Sequence, residues 1–176
     1  MSASSVRRRE RGEQRRACTP RDSAQRDSQS RGEYGLDVRV IGTQVGQASG
    51  LKMCYASLTK GLTALATQAL TAGEALGLFE TLTSELRESQ AELFAWFERQ
   101  VPRMPPKAYR WVGEMEEIAR TFADLGLPPQ MLEGAAALYR LVERTELGAE
   151  TPEERHQGQT LAEVVGILAD ALLNRS

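Results

Sequence analysis

The feature that most constrains this chain is a proline-free stretch from about Thr43 to Gly77, in which large apolar residues recur at near-helical spacing. This spacing predicts a single α-helix about 50 Å long, at 1.5 Å per residue, which is enough to cross a whole domain. The recurring residues are Val45, Leu51, Leu58, Leu62, Leu65 and Leu70. We therefore expect a domain that is organised along one long helix.

Helical patterns continue after this stretch to the end of the chain. A second helix is predicted to begin near Thr81, and a third at Ser89, where residues 89–92 have the pattern of a capping box. A similar box at residues 160–163 predicts the start of a final helix that ends near Leu173. The predicted fold class is all-α, a multi-helix domain over residues 43–174.

Two amphipathic stripes predict the helices in between, a fourth over residues 107–125 and a fifth that begins at Pro129. The fourth stripe is Trp111, Met115, Ile118, Phe122 and Leu125, and the fifth is Met131, Ala135, Leu138 and Val142. We expect both stripes to face the core.

The residues before the long helix have a different composition. Residues 34–42 contain one predicted strand, Asp37 to Ile41, which we interpret as the remnant of the last strand of a nucleotide-binding domain. Residues 1–33 have too few apolar side chains to offset the entropy of ordering, so we expect a disordered tail. An RNA-binding arm, an Arg-rich transit peptide and a misassigned gene start are the alternatives, and the five interspersed acids disfavour the first two.

Charge and composition exclude several functional classes. Residues 1–33 hold nine Arg against five Asp or Glu, a surplus of four positive charges, so a net charge of −2 leaves the remainder at −6. This acidic balance argues against nucleic acid or anionic lipid as the partner of the folded region. His156 has no His or Cys at ligand spacing, and Cys18 and Cys54 differ in context, so we expect neither a metal site nor a disulfide. No apolar run reaches the length of a membrane span, and we expect a soluble, cytoplasmic protein.

A short polar stripe on the long helix is the candidate for chemistry. Lys52, Tyr55 and Thr59 stand at i, i+3 and i+7, with Thr63 one turn further, and therefore share one face. The small residues before Lys52, among them Ser49, allow a ligand to approach the backbone closely. A lysine in a cleft can act as a general acid or base. The alternative is that Lys52 only extends from a packed helix into solvent.

Two runs of sequence carry a resemblance to a known family. The run VIGTQVGQASGLKMCYASLTKG at residues 40–61 and the run KAYRWVGEMEEIA at residues 107–119 resemble the C-terminal helical domain of 6-phosphogluconate dehydrogenase and of the related β-hydroxyacid (3-hydroxyisobutyrate-type) dehydrogenases. The similarity covers roughly residues 38–172. In that superfamily a Gly-rich turn leads from a nucleotide-binding domain into a long helix that bears the catalytic lysine, and Lys52 occupies that place.

This resemblance implies a reaction and a set of site residues. Lys52 would accept the hydroxyl proton of a small hydroxyacid while hydride passes to NADP or NAD, and Ser49, Tyr55 and Thr59 would contact the substrate. Better-known members carry an asparagine four residues after the lysine, where this chain has Ala56. Tyr55 either supplies the missing polar contact or is a packing residue whose hydroxyl is hydrogen-bonded elsewhere. In the second run, Arg110 and Glu114 form either part of a pocket or a surface ion pair.

The chain lacks a recognisable dinucleotide-binding motif. A strand, a G-x-G-x-x-G turn and a helix are normally required, and none occurs upstream of Tyr34. We therefore expect that this chain alone does not bind NADP or NAD, and that it is a fragment or has a misassigned gene start. DNA upstream of codon 34 that encodes no such motif would argue against this interpretation.

Two functions remain open from the sequence. The chain is either the substrate-binding and dimerisation domain of a dehydrogenase, inactive alone, or a non-catalytic helical interaction module. Lys52 favours the first, and Ala56 together with the absent cofactor motif favours the second. We also expect a homodimer, because the strand edge at residues 38–41 and part of the long helix would otherwise be exposed.

Overall fold

The structure, a computed structural model, describes residues 46–173. These residues contain no strand and form α-helices joined by short turns, so the predicted all-α fold class is confirmed. The helices are α1 (Gln47–Ala75), α2 (Phe79–Ser89), α3 (Ala91–Gln100), α4 (Ala108–Asp124), α5 (Gln130–Glu143), α6 (Glu146–Ala149) and α7 (Leu161–Leu173). Two 3₁₀ turns, Val101–Arg103 and Pro105–Lys107, connect α3 to α4. The predicted tail, the predicted strand and residues 43–45 of the predicted long helix lie outside the described residues.

Helix α1 has 29 residues and a length of about 44 Å. Its buried side consists mostly of small residues: Thr63, Ala64, Ala66, Thr67, Leu70, Thr71 and Gly73. The buried hydroxyls of Thr63 and Thr67 donate hydrogen bonds of 2.8 Å to the carbonyls four residues earlier. At Gly73, an added Cβ would lie only 3.1 Å from the Leu82 side chain of α2. The absence of a side chain at Gly73 thus leaves room for the side chain of Leu82.

The leucines that predicted α1 are mostly on its outer side. Leu58 is 65% exposed and Leu65 is 62% exposed, whereas Leu70 is buried. The prediction of a helix here was right, although most of its large leucines do not lie on the core-facing side. The reason is physical: α1 has apolar residues on two sides, and the domain packs against the side whose side chains are small.

Helices α4 and α5 form a helical hairpin at the centre of the core. Gly126 ends α4 with a positive φ of 81°, and the amide of Leu127 bonds back to the Phe122 carbonyl at 2.9 Å. The predicted stripe of α4 is confirmed for Met115 and Ile118, which are buried. Leu125 lies just beyond the end of the helix and is exposed, so its assignment to the core was wrong.

In α5 the predicted stripe was displaced by one residue at its start. Met131 is exposed and Leu132 is buried instead, followed by Ala135, Tyr139 and Val142. A buried tyrosine thus occupies a position that the stripe of aliphatic residues did not predict.

Of the two capping boxes, one forms. The amide of Glu163 donates a 3.2 Å hydrogen bond to the Thr160 hydroxyl oxygen, and the Glu163 carboxylate accepts a hydrogen bond from the amide of Thr160. Ser89 instead ends α2, and its hydroxyl donates to the Glu85 carbonyl. Helix α3 begins at Ala91 with Gln90 as its N-cap, so the predicted box at residues 89–92 was wrong.

Candidate functional site

The predicted site residues all lie on α1. Ser49 is exposed in its first turn. Further along the helix, Lys52 and Tyr55 are exposed, and Thr59 is half-buried with its hydroxyl donating to the Tyr55 carbonyl at 3.1 Å. Thr63, the last member of the predicted polar stripe, is buried against the core. The three residues Lys52, Tyr55 and Thr59 therefore form an open polar surface.

The surroundings of Lys52 are accessible to solvent in the described part of the chain. Four surface cavities have linings that do not include Lys52. An enclosed crevice at this lysine therefore needs a further protein surface beside α1.

A second lysine on α1 is held far more tightly. The Lys60 amine forms an ion pair with Glu114 of α4 and lies 5.1 Å from the ring centroid of Trp111. Trp111 in turn packs edge-to-face on Tyr139 of α5, with centroids 5.4 Å apart. The Tyr139 phenol in turn donates a 2.5 Å hydrogen bond to the Lys60 carbonyl. These four residues, which we call the Lys60 cluster, fasten α1 to the α4–α5 hairpin.

The surroundings of Lys60 shift the pKa of its amine. Burial lowers its pKa, and the positive charges of Arg110 and Lys52 lower it further. The Glu114 carboxylate acts in the opposite direction, because it favours the charged amine. Burial also raises the pKa of the Tyr139 phenol, which therefore stays a neutral hydrogen-bond donor.

The Lys60 cluster was not predicted from the sequence. Its members lie about 50 to 80 positions from Lys60, and no local pattern joins them. Glu114 was considered as a partner of Arg110, one turn away, whereas the structure pairs it with Lys60 of another helix.

Two apolar cavities flank the outer side of α1. One, of about 350 Å³, lies between α1 and α5 and is lined by Leu58, Leu62, Leu65 and Met131 among others. The other, of about 750 Å³, lies between α1 and the α2–α3 junction and includes Leu58, Leu62 and Trp96. Both are open to solvent. The outer side of α1 is thus a ridge of leucines between two hollows.

Over residues 46–173 no group of three His, Cys, Asp or Glu is placed to hold a metal ion. Within the same range no helix has the length and apolarity that a membrane span requires. His156 is exposed in the turn before α7, and Cys54 is an exposed free thiol.

Part of the chain is similar to a described protein family. Residues 74–142 match the family described as Domain of unknown function (DUF1932). This domain is a C-terminal helical domain of NAD-binding dehydrogenase-like proteins. The match spans the end of α1 through α5 and does not include Lys52.

A solved structure shares the fold. The conserved hypothetical protein from Sinorhizobium meliloti 1021 superposes with a TM-score of 0.68 and 25% sequence identity, over 84% of this chain and 49% of that chain. A curated relative, the uncharacterized 28.5 kDa protein in the 7S RNA 5' region of Methanothermus fervidus, is 36% identical over 62 residues, which are 35% of this chain and 25% of that protein. The chain thus spans about half of the structural relative and a quarter of the curated one. In fold and in residues 74–142, the chain is similar to the helical domain of dehydrogenase-like proteins.

Proposed function

We propose that this chain is the substrate-binding and dimerisation domain of an NAD(P)-dependent hydroxyacid dehydrogenase of the 6-phosphogluconate dehydrogenase type, and that it is inactive alone. The observation that carries the proposal is the similarity of residues 74–142 to DUF1932, a helical domain of dehydrogenase-like proteins. The length of the structural relative supports it, because half of that chain lies beyond the region of similarity and leaves room for a second domain.

In this proposal Lys52 accepts the proton of the substrate hydroxyl. Its place on α1, two turns before Lys60 and next to the exposed phenol of Tyr55, gives a small polar substrate access to the amine. Ser49, Tyr55 and Thr59 then contact the substrate hydroxyls or carboxylate. Tyr55 supplies the polar contact for which Ala56, which packs against the core, has no group.

The described residues do not fit a dinucleotide. They contain no strand followed by a glycine turn and a helix, which is the unit that normally holds the pyrophosphate. NADP or NAD is therefore assigned to a separate nucleotide-binding domain. That domain would also cover the open surface at Lys52 and exclude water from it.

The proposal is tested by reconstitution. The full chain is mixed with a separately expressed nucleotide-binding domain of a hydroxyacid dehydrogenase, and oxidation of a panel of small hydroxyacids is followed with NADP and with NAD. We expect turnover only when both proteins are present. No turnover with any substrate, despite demonstrated binding of the two proteins, would contradict the proposal.

A non-catalytic interaction module is the second candidate, and two observations favour it. Lys52 is exposed, with none of the four cavities at its side, and Ala56 stands where better-known dehydrogenases have asparagine. For such a module, Lys52→Ala would leave every function of the reconstituted complex unchanged.

A further inference from the structure

Charge is distributed unevenly over residues 46–173. This range carries 18 Asp or Glu against 11 Lys or Arg. Its two longest segments without an acid are residues 46–73, which include most of α1, and residues 99–113, which extend into the first turns of α4. These two segments hold six of the 11 basic residues, namely Lys52, Lys60, Arg99, Arg103, Lys107 and Arg110. A region that is acidic on the whole therefore concentrates its positive charge in two short stretches of sequence.

The two acid-free segments meet at Lys60. Its amine lies 5.1 Å from the ring centroid of Trp111 and pairs with Glu114, the first acid after the second segment. The Lys60 side chain is only 17% exposed, so its charge is held in the contact between α1 and α4. Burial lowers the pKa of Lys60 most, and the charges of Arg110 and then of Lys52 lower it further, which places both cations within electrostatic reach of this amine. Three cations thus surround a single carboxylate.

Arg110 has no acidic partner in the described part of the chain. Glu114 follows it by one helical turn and would be its ordinary partner in an isolated helix. The structure pairs Glu114 with Lys60 instead, and none of the ion pairs within residues 46–173 includes Arg110. The Arg110 side chain is exposed. Its guanidinium group is therefore available to donate two parallel hydrogen bonds to an oxyanion.

We propose that Arg110 binds the acid group of the substrate whose hydroxyl is deprotonated by Lys52. This inference rests on the proposed function and deepens it, because it names a residue of α4 that determines the specificity for an anionic substrate. Arg110 contacts the acid group directly. Lys60, whose amine is occupied by Glu114, contributes positive potential at the site without touching the ligand.

The balance of charge favours an acid over a neutral alcohol. Lys52, Lys60 and Arg110 against Glu114 leave a surplus of two positive charges, and Lys52 and Arg110 are both open to solvent. An oxyanion bound between them offsets the repulsion among the three cations. One positive charge remains in excess when Lys52 is neutral, as a general base must be, so the attraction for the acid group persists during the reaction.

The first experiment compares each hydroxyacid with its amide, in which a neutral carboxamide replaces the carboxylate. The kcat/KM for both is measured in the reconstituted enzyme with the native chain, Arg110→Gln and the matched control Arg120→Gln. Arg120 is an exposed arginine on the same helix, ten residues further along, which is about 15 Å. We expect Arg110→Gln to lower kcat/KM for the acid by about 10- to 100-fold, mainly through KM, and to leave the amide nearly unchanged. The control should keep the native preference for the acid.

Two outcomes of this experiment would overturn the proposal. Equal losses for the acid and the amide would show that Arg110 only supports the fold. A raised KM for NADP or NAD, with the KM of the acid unchanged, would show that the oxyanion at Arg110 is a phosphate of the dinucleotide. Arg110→Lys keeps the positive charge but not the two parallel donors, and we expect it to retain part of the preference for the acid.

A second experiment does not depend on turnover. In the full chain alone, the side-chain Nε–Hε signal of Arg110 is identified by NMR through its loss in Arg110→Gln. It is then followed during titration with 3-hydroxypropanoate and with 3-hydroxypropanamide at millimolar concentrations. We expect the acid to shift this signal, the amide to leave it in place, and the Arg120 signal to respond little to either compound. An Arg110 signal that stays fixed with the acid, or that moves as far with the amide, would overturn the proposal.

The two experiments separate the acid site from the proton transfer. Binding of the acid at Arg110 without any Lys52-dependent turnover would leave the acid site standing and count against the proposed function. Turnover that depends on Lys52 but shows no effect of Arg110 on the preference for the acid would do the reverse.

Discussion

The phenol of Tyr139 donates a 2.5 Å hydrogen bond to the backbone carbonyl of Lys60, a residue 79 positions earlier in the chain. Tyr139 is fully buried, and the acceptor belongs to the helix that carries the candidate lysine. This bond, with the ion pair between Lys60 and Glu114, fixes the position of α1 on the α4–α5 hairpin. It thereby determines which residues of α1 face outward.

Removal of the Tyr139 hydroxyl should therefore destabilise the fold without creating a cavity. We expect Tyr139→Phe to lower the free energy of unfolding by about 1–2 kcal/mol, because a buried hydrogen bond is lost. Urea denaturation measures this change. Tyr109→Phe, at a tyrosine that is 61% exposed, serves as the control and should change it little. Equal effects of the two substitutions would contradict the assigned role.

Tyr139 should also make the fold less stable at alkaline pH. Burial raises the pKa of Tyr139 above its ordinary value of 10.0, so above pH 10 the unfolded chain loses a proton that the folded chain retains. Stability should then fall by up to about 1.4 kcal/mol per pH unit. Denaturation at increasing pH should show this fall in the native chain and not in Tyr139→Phe. Parallel curves above pH 10 would show that another group is responsible.

Lys60 should change the stability of the fold in the opposite direction, and at lower pH than Tyr139. Its folded-state pKa is lowered by burial and by the charges of Arg110 and Lys52, so in the window just below 10.5 the unfolded chain binds more protons. Stability should therefore rise with pH in that window. The rise should be absent in Lys60→Met, when the same denaturation series is compared. An unchanged rise in that variant would exclude Lys60 as its source.

Substitution of alanine for glycine should have opposite effects on stability at two positions, Gly148 and Gly134. An added Cβ at Gly148 would lie 2.6 Å from the Cα and carbonyl oxygen of Glu143, both backbone atoms that cannot move aside easily. Gly148→Ala should therefore cost about 2 kcal/mol or more in the free energy of unfolding. Gly134 lies inside α5 with open space at its Cβ position, and Gly134→Ala should stabilise by up to about 1 kcal/mol. Chemical denaturation of both variants tests the pair, and a neutral Gly148→Ala would show that the close approach of α6 is absent.

The local signals in the sequence predicted the helices well. The stripe of α4, apart from Leu125, and the capping box at Thr160 depend on neighbouring residues only, and the structure has both. The box at Ser89 failed because the helix before it extends to that residue and uses its hydroxyl.

The orientation of α1 could not be predicted in the same way. Its large leucines gave the stronger periodic signal, but the buried side is the one with Ala64, Thr67 and Gly73. Which of two apolar sides is buried depends on the surface of the neighbouring helices. The Lys60 cluster was missed for the same reason, since it joins residues from three helices.

The claim at the centre of this account is that Lys52 transfers the substrate proton, and one measurement tests it most directly. In the reconstituted enzyme, kcat for hydroxyacid oxidation is compared among the native chain, Lys52→Ala and the control Lys107→Ala. We predict a loss of about 10²- to 10⁴-fold for Lys52→Ala, the range of a missing general base, and nearly native turnover for the control. Native turnover in folded Lys52→Ala would contradict the account.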